Sequence, residues 1–323
     1  MRRRTLLGAA ATGTALTLSG CGVFTYDNGN TATPDAAEAE FRAARDYLTS
    51  IFDRLNDVDI IFEGDIVVSD SSFENLDFDA LQQELAGAEA SLADLRNNEA
   101  TSSNQRNLVE FGIELAQARI SLYTQLRTIV IKEAAVQQTV EAENYAAANN
   151  AASEAMTAVS TVASNGQIMR ELVRMGPRDA SPESVPDGFR MLAAQQEADA
   201  LSAFTARAQP AVELVVAWTE AFTEAVAAQL LLNDESWTAA EAGFAAAVEA
   251  LRTAQSKADI ISSPPPVFTE LYIEYSCDLS TLQSAFQAAR EGARATRNGD
   301  RETAENQFST YEDMFAEYKT ECR

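Results

Sequence analysis

The chain has 323 residues, a formal net charge of −25 and no histidine. This charge has the wrong sign for a nucleic-acid partner, and the lack of histidine excludes His-dependent catalytic triads and the usual zinc motifs. Alanine, the best helix former, accounts for 59 residues, and only eight prolines occur. The composition therefore predicts an all-α fold of antiparallel helical hairpins, which form an elongated bundle or a short repeat array.

The first 21 residues have the three parts of an export signal. Arg3 and Arg4 lie in a basic start, and an apolar stretch of 13 residues runs from Leu6 to Leu18. Thirteen residues are too few to cross a hydrocarbon core of ~30 Å as a helix, so the segment is a signal rather than a membrane span. The sequence Arg-Arg-Thr-Leu-Leu at positions 3–7 fits the twin-arginine export pattern.

The signal ends in Leu18-Ser19-Gly20-Cys21, which resembles the lipobox of prokaryotic lipoproteins. This resemblance implies that the Cys21 thiol carries a diacylglycerol, becomes the first mature residue and anchors the protein to the extracytoplasmic face of the cell membrane. An ordinary cleaved signal with a chance cysteine is the alternative. Residues 22–33 are polar and Gly/Asn-rich, as is typical of a flexible tether.

The charge of the mature chain indicates a high-salt environment. Removal of the three arginines at positions 2–4 takes the charge from −25 to −28, and three lysines stand against 21 arginines. A net charge of this size destabilises a compact state by self-repulsion. Molar salt screens this repulsion, because it shortens the Debye length to about 3 Å. The chain resembles proteins of extremely halophilic archaea, in which twin-arginine lipoprotein signals are also typical. An acidic surface without this meaning is the alternative.

Apolar spacing and turn residues predict the helices of an N-terminal region, residues 34–176. Helices are expected over 34–56 and 78–97, and a long helix capped by Ser102 or Ser103 should run to about Val140. Another should run from Glu141 to Ser164, where Asn165-Gly166 is a stop signal, followed by a short helix over 167–175. Residues 57–76 break the helical pattern, and we expect a small hairpin or an ordered loop around Gly64-Asp65.

Residues 177–188 contain three prolines, and this stretch is the best candidate for a linker between domains. The C-terminal region, 189–323, is expected to consist of helical hairpins. Proline and Asn/Gly/Asp breaks place its helices at 189–208, 210–232, 235–261, 267–297 and 300–321.

Cys277 and Cys322 are the two cysteines that follow Cys21. They lie 22 residues before and 23 residues after Gly299, the centre of the last predicted turn. In an antiparallel hairpin, residues equidistant from the turn lie side by side, and export places them outside the reducing cytoplasm. The spacing therefore predicts a disulfide between them, with two free thiols as the alternative.

Three predicted second helices begin alike, with a turn or acidic residue ahead of small residues, at Glu143, Glu235 and Asp300. They resemble the second helix of a tetratricopeptide hairpin. The spacings depart from that family's period of 34, and the Trp/Leu-Gly/Tyr pattern of its first helix is missing. A plain alanine-rich bundle is the alternative, and neither fold determines a function.

No pattern of residues indicates catalysis, a cofactor or a metal site, so we do not expect an enzyme. The acidic segment 57–70 has some spacings of a calcium-binding loop, but Ile61 occupies a ligand position, and a solvated loop explains the segment better. We expect a non-enzymatic, lipid-anchored module that interacts with an envelope protein. A solute- or cation-binding lipoprotein with a cleft between the two helical regions is the alternative.

Overall fold

The computed structural model describes residues 34–58, 60, 62, 66–176 and 191–322. These residues form nine α-helices and no extended strand, which confirms the all-α fold. The helices are α1 Pro34–Asn56, α2 Phe78–Asn97, α3 Ser103–Glu141, α4 Tyr145–Met175, α5 Met191–Asn233, α6 Trp237–Ala258, α7 Thr269–Tyr275, α8 Leu279–Arg297 and α9 Arg301–Cys322. Short 3₁₀ turns occupy Asp70–Phe73 and Pro266–Phe268.

The first three helices begin and end close to where the sequence places them. The Asp77 side chain caps α2 by accepting from the Ala80 amide at 3.0 Å. Ser102 caps α3 in the same way, and Gln105 accepts in return from the Ser102 amide, which completes a capping box. The helices pack on one another, with α1 in contact with both α2 and α3.

Helix α4 continues through Asn165-Gly166, so the predicted stop and the separate helix over 167–175 were wrong. Both residues serve packing instead. The Asn165 amide donates to the Ser121 hydroxyl of α3 at 2.9 Å. A Cβ at position 166 would lie 3.3 Å from the Leu201 Cβ, so glycine permits a close approach of α4 and α5.

Helix α5 continues through Pro210, so the predicted break at that residue was also wrong. With 43 residues the helix is about 65 Å long, at 1.5 Å per residue. The Asn149 amide on α4 donates to the Thr219 hydroxyl and the Val216 carbonyl of α5, each at 3.0 Å. Helix α6 packs along the C-terminal part of α5, so α5 lies at the centre of the fold.

The three similar sequence segments form the same kind of turn. Glu143, Glu235 and Gly299 each adopt positive φ, at 55°, 55° and 78°. In each turn the next residue donates its amide back to a carbonyl of the preceding helix, at 2.8–3.0 Å, which ends that helix in a Schellman motif. Gly299, rather than Asp300, is therefore the structural equivalent of Glu143 and Glu235 in the third segment. The likeness to tetratricopeptide repeats stays a prediction.

The helix predicted over 267–297 is broken in the structure. Helix α7 ends at Tyr275, and Asp278 adopts a left-handed conformation with φ of 36° before α8 begins. Its carboxylate accepts from the Thr281 amide at 3.2 Å, which caps α8. Asp278 thus both turns the chain and caps the next helix. Apolar spacing alone does not reveal such a break.

Two predicted connections fall wholly or partly outside the residues that the structure describes. The hairpin turn at Gly64-Asp65 and the linker 177–188 lie outside the described residues. The described residues 66–68 form no extended strand, and Ile66 and Val68 are buried against the core. On either side of the linker, α4 and α5 pack along each other, and residues from both regions belong to one connected core.

Candidate functional site

The described residues begin after the segment that the sequence assigns to export and lipidation. Arg3, Arg4, Cys21 and the tether 22–33 lie outside the described residues. In the acidic segment, Asp59, Glu63 and Asp65 also lie outside them. Among the described residues, no group of three or more His, Cys, Asp or Glu side chains is arranged to hold a metal ion.

Cys277 and Cys322 form a disulfide, as the spacing around Gly299 predicts. Their Cα atoms lie 5.8 Å apart. Cys277 lies in the short turn between α7 and α8, and Cys322 is the last residue of α9. The bond therefore closes the open end of the α8–α9 hairpin and ties α9 to the start of α8.

A small cleft lies where α3 and α4 meet α5 and α7. It has room for about one water molecule. Glu133 of α3 is the single titratable residue among those that line it. The other lining residues are apolar: Val136, Ala152, Ala155, Val212, Val215, Phe268 and Leu271.

The environment of Glu133 disfavours its charged form. Burial raises its pKa from 4.5 to about 7, and the nearby Glu270 carboxylate adds to the shift. Gln137 lies between the two acids, because its amide nitrogen donates to Glu133 at 2.8 Å and to Glu270 at 3.5 Å. The cleft therefore contains a carboxyl group that exchanges a proton near neutral pH.

A second charged group lies deep in the core. Arg119 of α3 forms an ion pair with Glu197 of α5, with Nη2 and Oε1 2.7 Å apart and side chains 5% and 9% exposed. The same guanidinium donates to Asn56 of α1 at 3.1 Å and lies over the rings of Phe52 and Tyr123. This network joins three helices from both sides of the predicted linker.

Burial also determines how these core groups titrate. It raises the pKa of Glu197 above its ordinary value, although Arg119 opposes the shift by charge and hydrogen bonding. Burial raises the pKa of Tyr123 to about 12. Among the described residues, neither Nε of Arg119 nor Oε2 of Glu197 has a hydrogen-bond partner.

Residues 194–233 of α5 are long and apolar enough to cross a membrane by length and composition, with a mean hydropathy of 1.3 in the most apolar window. Half of that window is buried within the protein. Because Phe204 and Trp218 are fully buried against other helices, a core helix explains the composition.

No family model, no curated protein and no solved structure matches this chain. The structure defines its class as an all-α protein of helical hairpins with a disulfide in the last hairpin.

Sequence reasoning missed the charged residues of the cleft and the core. Glu133 and Glu270 are far apart in the chain, and no motif connects them. Arg119 and Glu197 did leave a signal, because each is a charged residue within an apolar stripe of its helix. Arg119 lies between Leu115, Ala116 and Tyr123, all of which are buried. A charge in such a stripe indicates a buried partner.

Proposed function

We propose that this chain is a non-enzymatic, lipid-anchored protein on the extracytoplasmic face of the cell membrane. The disulfide is the observation that carries this proposal, because such bonds persist in oxidising compartments outside the cytoplasm. It supports the location that the export signal and the lipobox-like Cys21 predict independently. Anchoring through two acyl chains would be stable.

In this proposal the helical body interacts with another envelope protein. Val226 and Leu230 are one turn apart on α5 and are 47% and 61% exposed, so they offer neighbouring apolar contacts. Apolar side chains that face solvent together favour protein contact.

The location is tested by Cys21→Ala with fractionation of cells at their native salt concentration. We expect the native chain in the membrane fraction and the variant in the soluble extracytoplasmic fraction. A matched Ser19→Ala variant keeps the cysteine and should stay with the membrane. Retention of Cys21→Ala in the membrane fraction would refute lipid anchoring.

The interaction is tested by in-cell cross-linking followed by mass spectrometry. One dominant envelope protein that cross-links to the native chain but not to Leu230→Glu would support the α5 contact. Ile168→Glu, at an exposed residue of α4, is the control and should leave the cross-link intact. Equal cross-linking by Leu230→Glu would contradict the α5 contact.

Solute or cation binding is the second candidate, and the cleft favours it. Its lining combines Glu133, Val136, Ala152 and Ala155 from the N-terminal region with residues of the C-terminal region. It therefore lies between the two regions, and Glu133 is the one acidic group among its lining residues. A ligand panel in a thermal-shift assay at molar salt tests this, and a shift that Glu133→Gln abolishes would favour it over the first proposal.

A further inference from the structure

Residues 266–275, which comprise the 3₁₀ turn Pro266–Phe268 and helix α7, form a short arm across one side of the cleft. We call this segment the α7 arm. Phe268, Leu271 and Tyr275 point inward and are buried. The arm is only ten residues long, between Pro264-Pro265 and the disulfide at Cys277. The other walls of the cleft come from long helices, whereas the arm consists of one 3₁₀ turn and one seven-residue helix.

The contact of the arm with α3 places two acids near each other. Glu270 faces Glu133, and the Gln137 amide donates to both carboxylates. When both acids are ionised, one neutral amide is shared between two negative charges. Loss of one charge removes the repulsion between them, so the protonation of this pair determines how firmly the arm is held.

The other helices around the cleft bring no charge that neutralises Glu133. Helices α4 and α5 line the cleft with alanine and valine side chains. The neighbouring Lys132 is paired with Glu154 of α4. On α5, Glu213 follows Val212 in the chain and is paired with Lys257 of α6. Glu270 therefore remains the charge that acts on Glu133 from a different element.

We propose that the α7 arm is a proton-controlled lid: it closes over the cleft when the Glu133–Glu270 pair holds a proton and loosens when both acids are ionised. The chain contains no histidine, so the residue that usually senses pH near neutrality is missing. A half-buried glutamate beside a second acid takes its place. The lid would let external pH control access to the apolar walls of the cleft.

The size of the effect follows from linkage. Glu133 has a pKa of about 7 with the arm closed and its ordinary 4.5 as the limit with the arm open. The advantage of the closed arm is therefore complete below pH 4.5 and is lost progressively as the pH rises through about 7. Between pH 6 and pH 8 the open fraction should rise by up to about tenfold.

Hydrogen–deuterium exchange with mass spectrometry at molar salt tests the lid. Protection factors, corrected for the intrinsic pH dependence of exchange, should fall up to about tenfold from pH 6 to pH 8 in peptides covering 266–275. Glu133→Gln should remove this change. Glu141→Gln, at an exposed acid of the same helix, should keep it.

Glu270→Gln provides a second variant at an exposed residue, in case the substitution at Glu133 prevents folding. It should reduce the pH dependence of the α7 arm without affecting other peptides. Equal protection of the arm at both pH values would overturn the proposal. A change spread equally over α3 and α5 would also overturn it, because that pattern would assign the titration to the buried Glu197.

Discussion

The buried Arg119–Glu197 pair predicts an asymmetric response to the loss of either partner. Arg119→Met leaves a glutamate side chain that is only 9% exposed without its cation. That carboxyl group can take up a proton. From an ordinary pKa of 4.5, protonation costs about 3.4 kcal/mol at pH 7 and about 0.7 kcal/mol at pH 5, at 1.36 kcal/mol for each pH unit.

Glu197→Leu leaves an arginine that cannot give up its proton. The loss of one partner of a buried pair costs about 3–5 kcal/mol. Because burial raises the pKa of Glu197 in the native chain, the native chain is itself more stable at low pH, so the cost of Glu197→Leu should not fall from pH 7 to pH 5. The double variant Arg119→Met/Glu197→Leu removes both charges. Its stability should lie within about 1 kcal/mol of the native chain, because apolar replacement of a buried pair is often neutral.

Urea unfolding followed by far-UV circular dichroism in molar sodium chloride measures these differences. Each variant is compared with the native chain at the same pH, so that other titrations cancel. The reasoning fails if Arg119→Met is equally destabilising at pH 7 and pH 5. It also fails if the free energy of unfolding of the double variant falls by the sum of the two single-variant decreases.

Three further predictions concern the turns, the disulfide and the charge. Glu235→Gly should stabilise the protein by about 0.5–1 kcal/mol, because glycine adopts the observed positive φ without strain. Gly299→Ala should destabilise it through the same positive φ, since an added Cβ meets no atom within 4 Å. Urea unfolding measures both changes. Cys277→Ser/Cys322→Ser should cost about 4 kcal/mol in the same assay, from the entropy of a loop with a separation of 45 residues, and no loss would contradict that reasoning. Transfer from molar salt to dilute buffer should reduce the helical signal in circular dichroism, because the charge of −25 is no longer screened; an unchanged signal below about 0.1 M salt would refute this.

The helices themselves are predictable from sequence because local signals determine their ends. Helix α2 begins at residue 78 as expected, and Ser102, one of the two candidate caps, caps α3, since a cap depends on residues within one turn. The disulfide also follows from local geometry, because a single short turn at Gly299 determines the register of both cysteines.

The prediction fails where packing overrides a local signal. Pro210 removes one backbone hydrogen bond from α5, at a cost of about 3 kcal/mol. The same helix buries Phe204 and Trp218 completely, and each such side chain contributes about 1.5–3 kcal/mol. A continuous helix is therefore favourable, whereas proline in isolation predicts a break.

The charged sites are least predictable because they depend on contacts between distant segments. Glu133 and Glu270 are ordinary acids among 49 in the sequence. Only the packing of the α7 arm against α3 brings the second charge near the first. Among so many acids, the sequence alone does not distinguish the few that the fold buries or brings close to another charge.

The regions before and after the proline-rich linker share one described core because both pack against helix α5. Arg170 of α4 donates to the Ala198 carbonyl near one end of α5, and Asn149 of α4 reaches Thr219. Lys257 of α6 pairs with Glu213, within the stretch that α4 also contacts. The two regions therefore share one helix as a common wall, and the cleft with Glu133 opens onto that wall at Val212 and Val215. A change at the cleft would act directly on the element that holds both regions together.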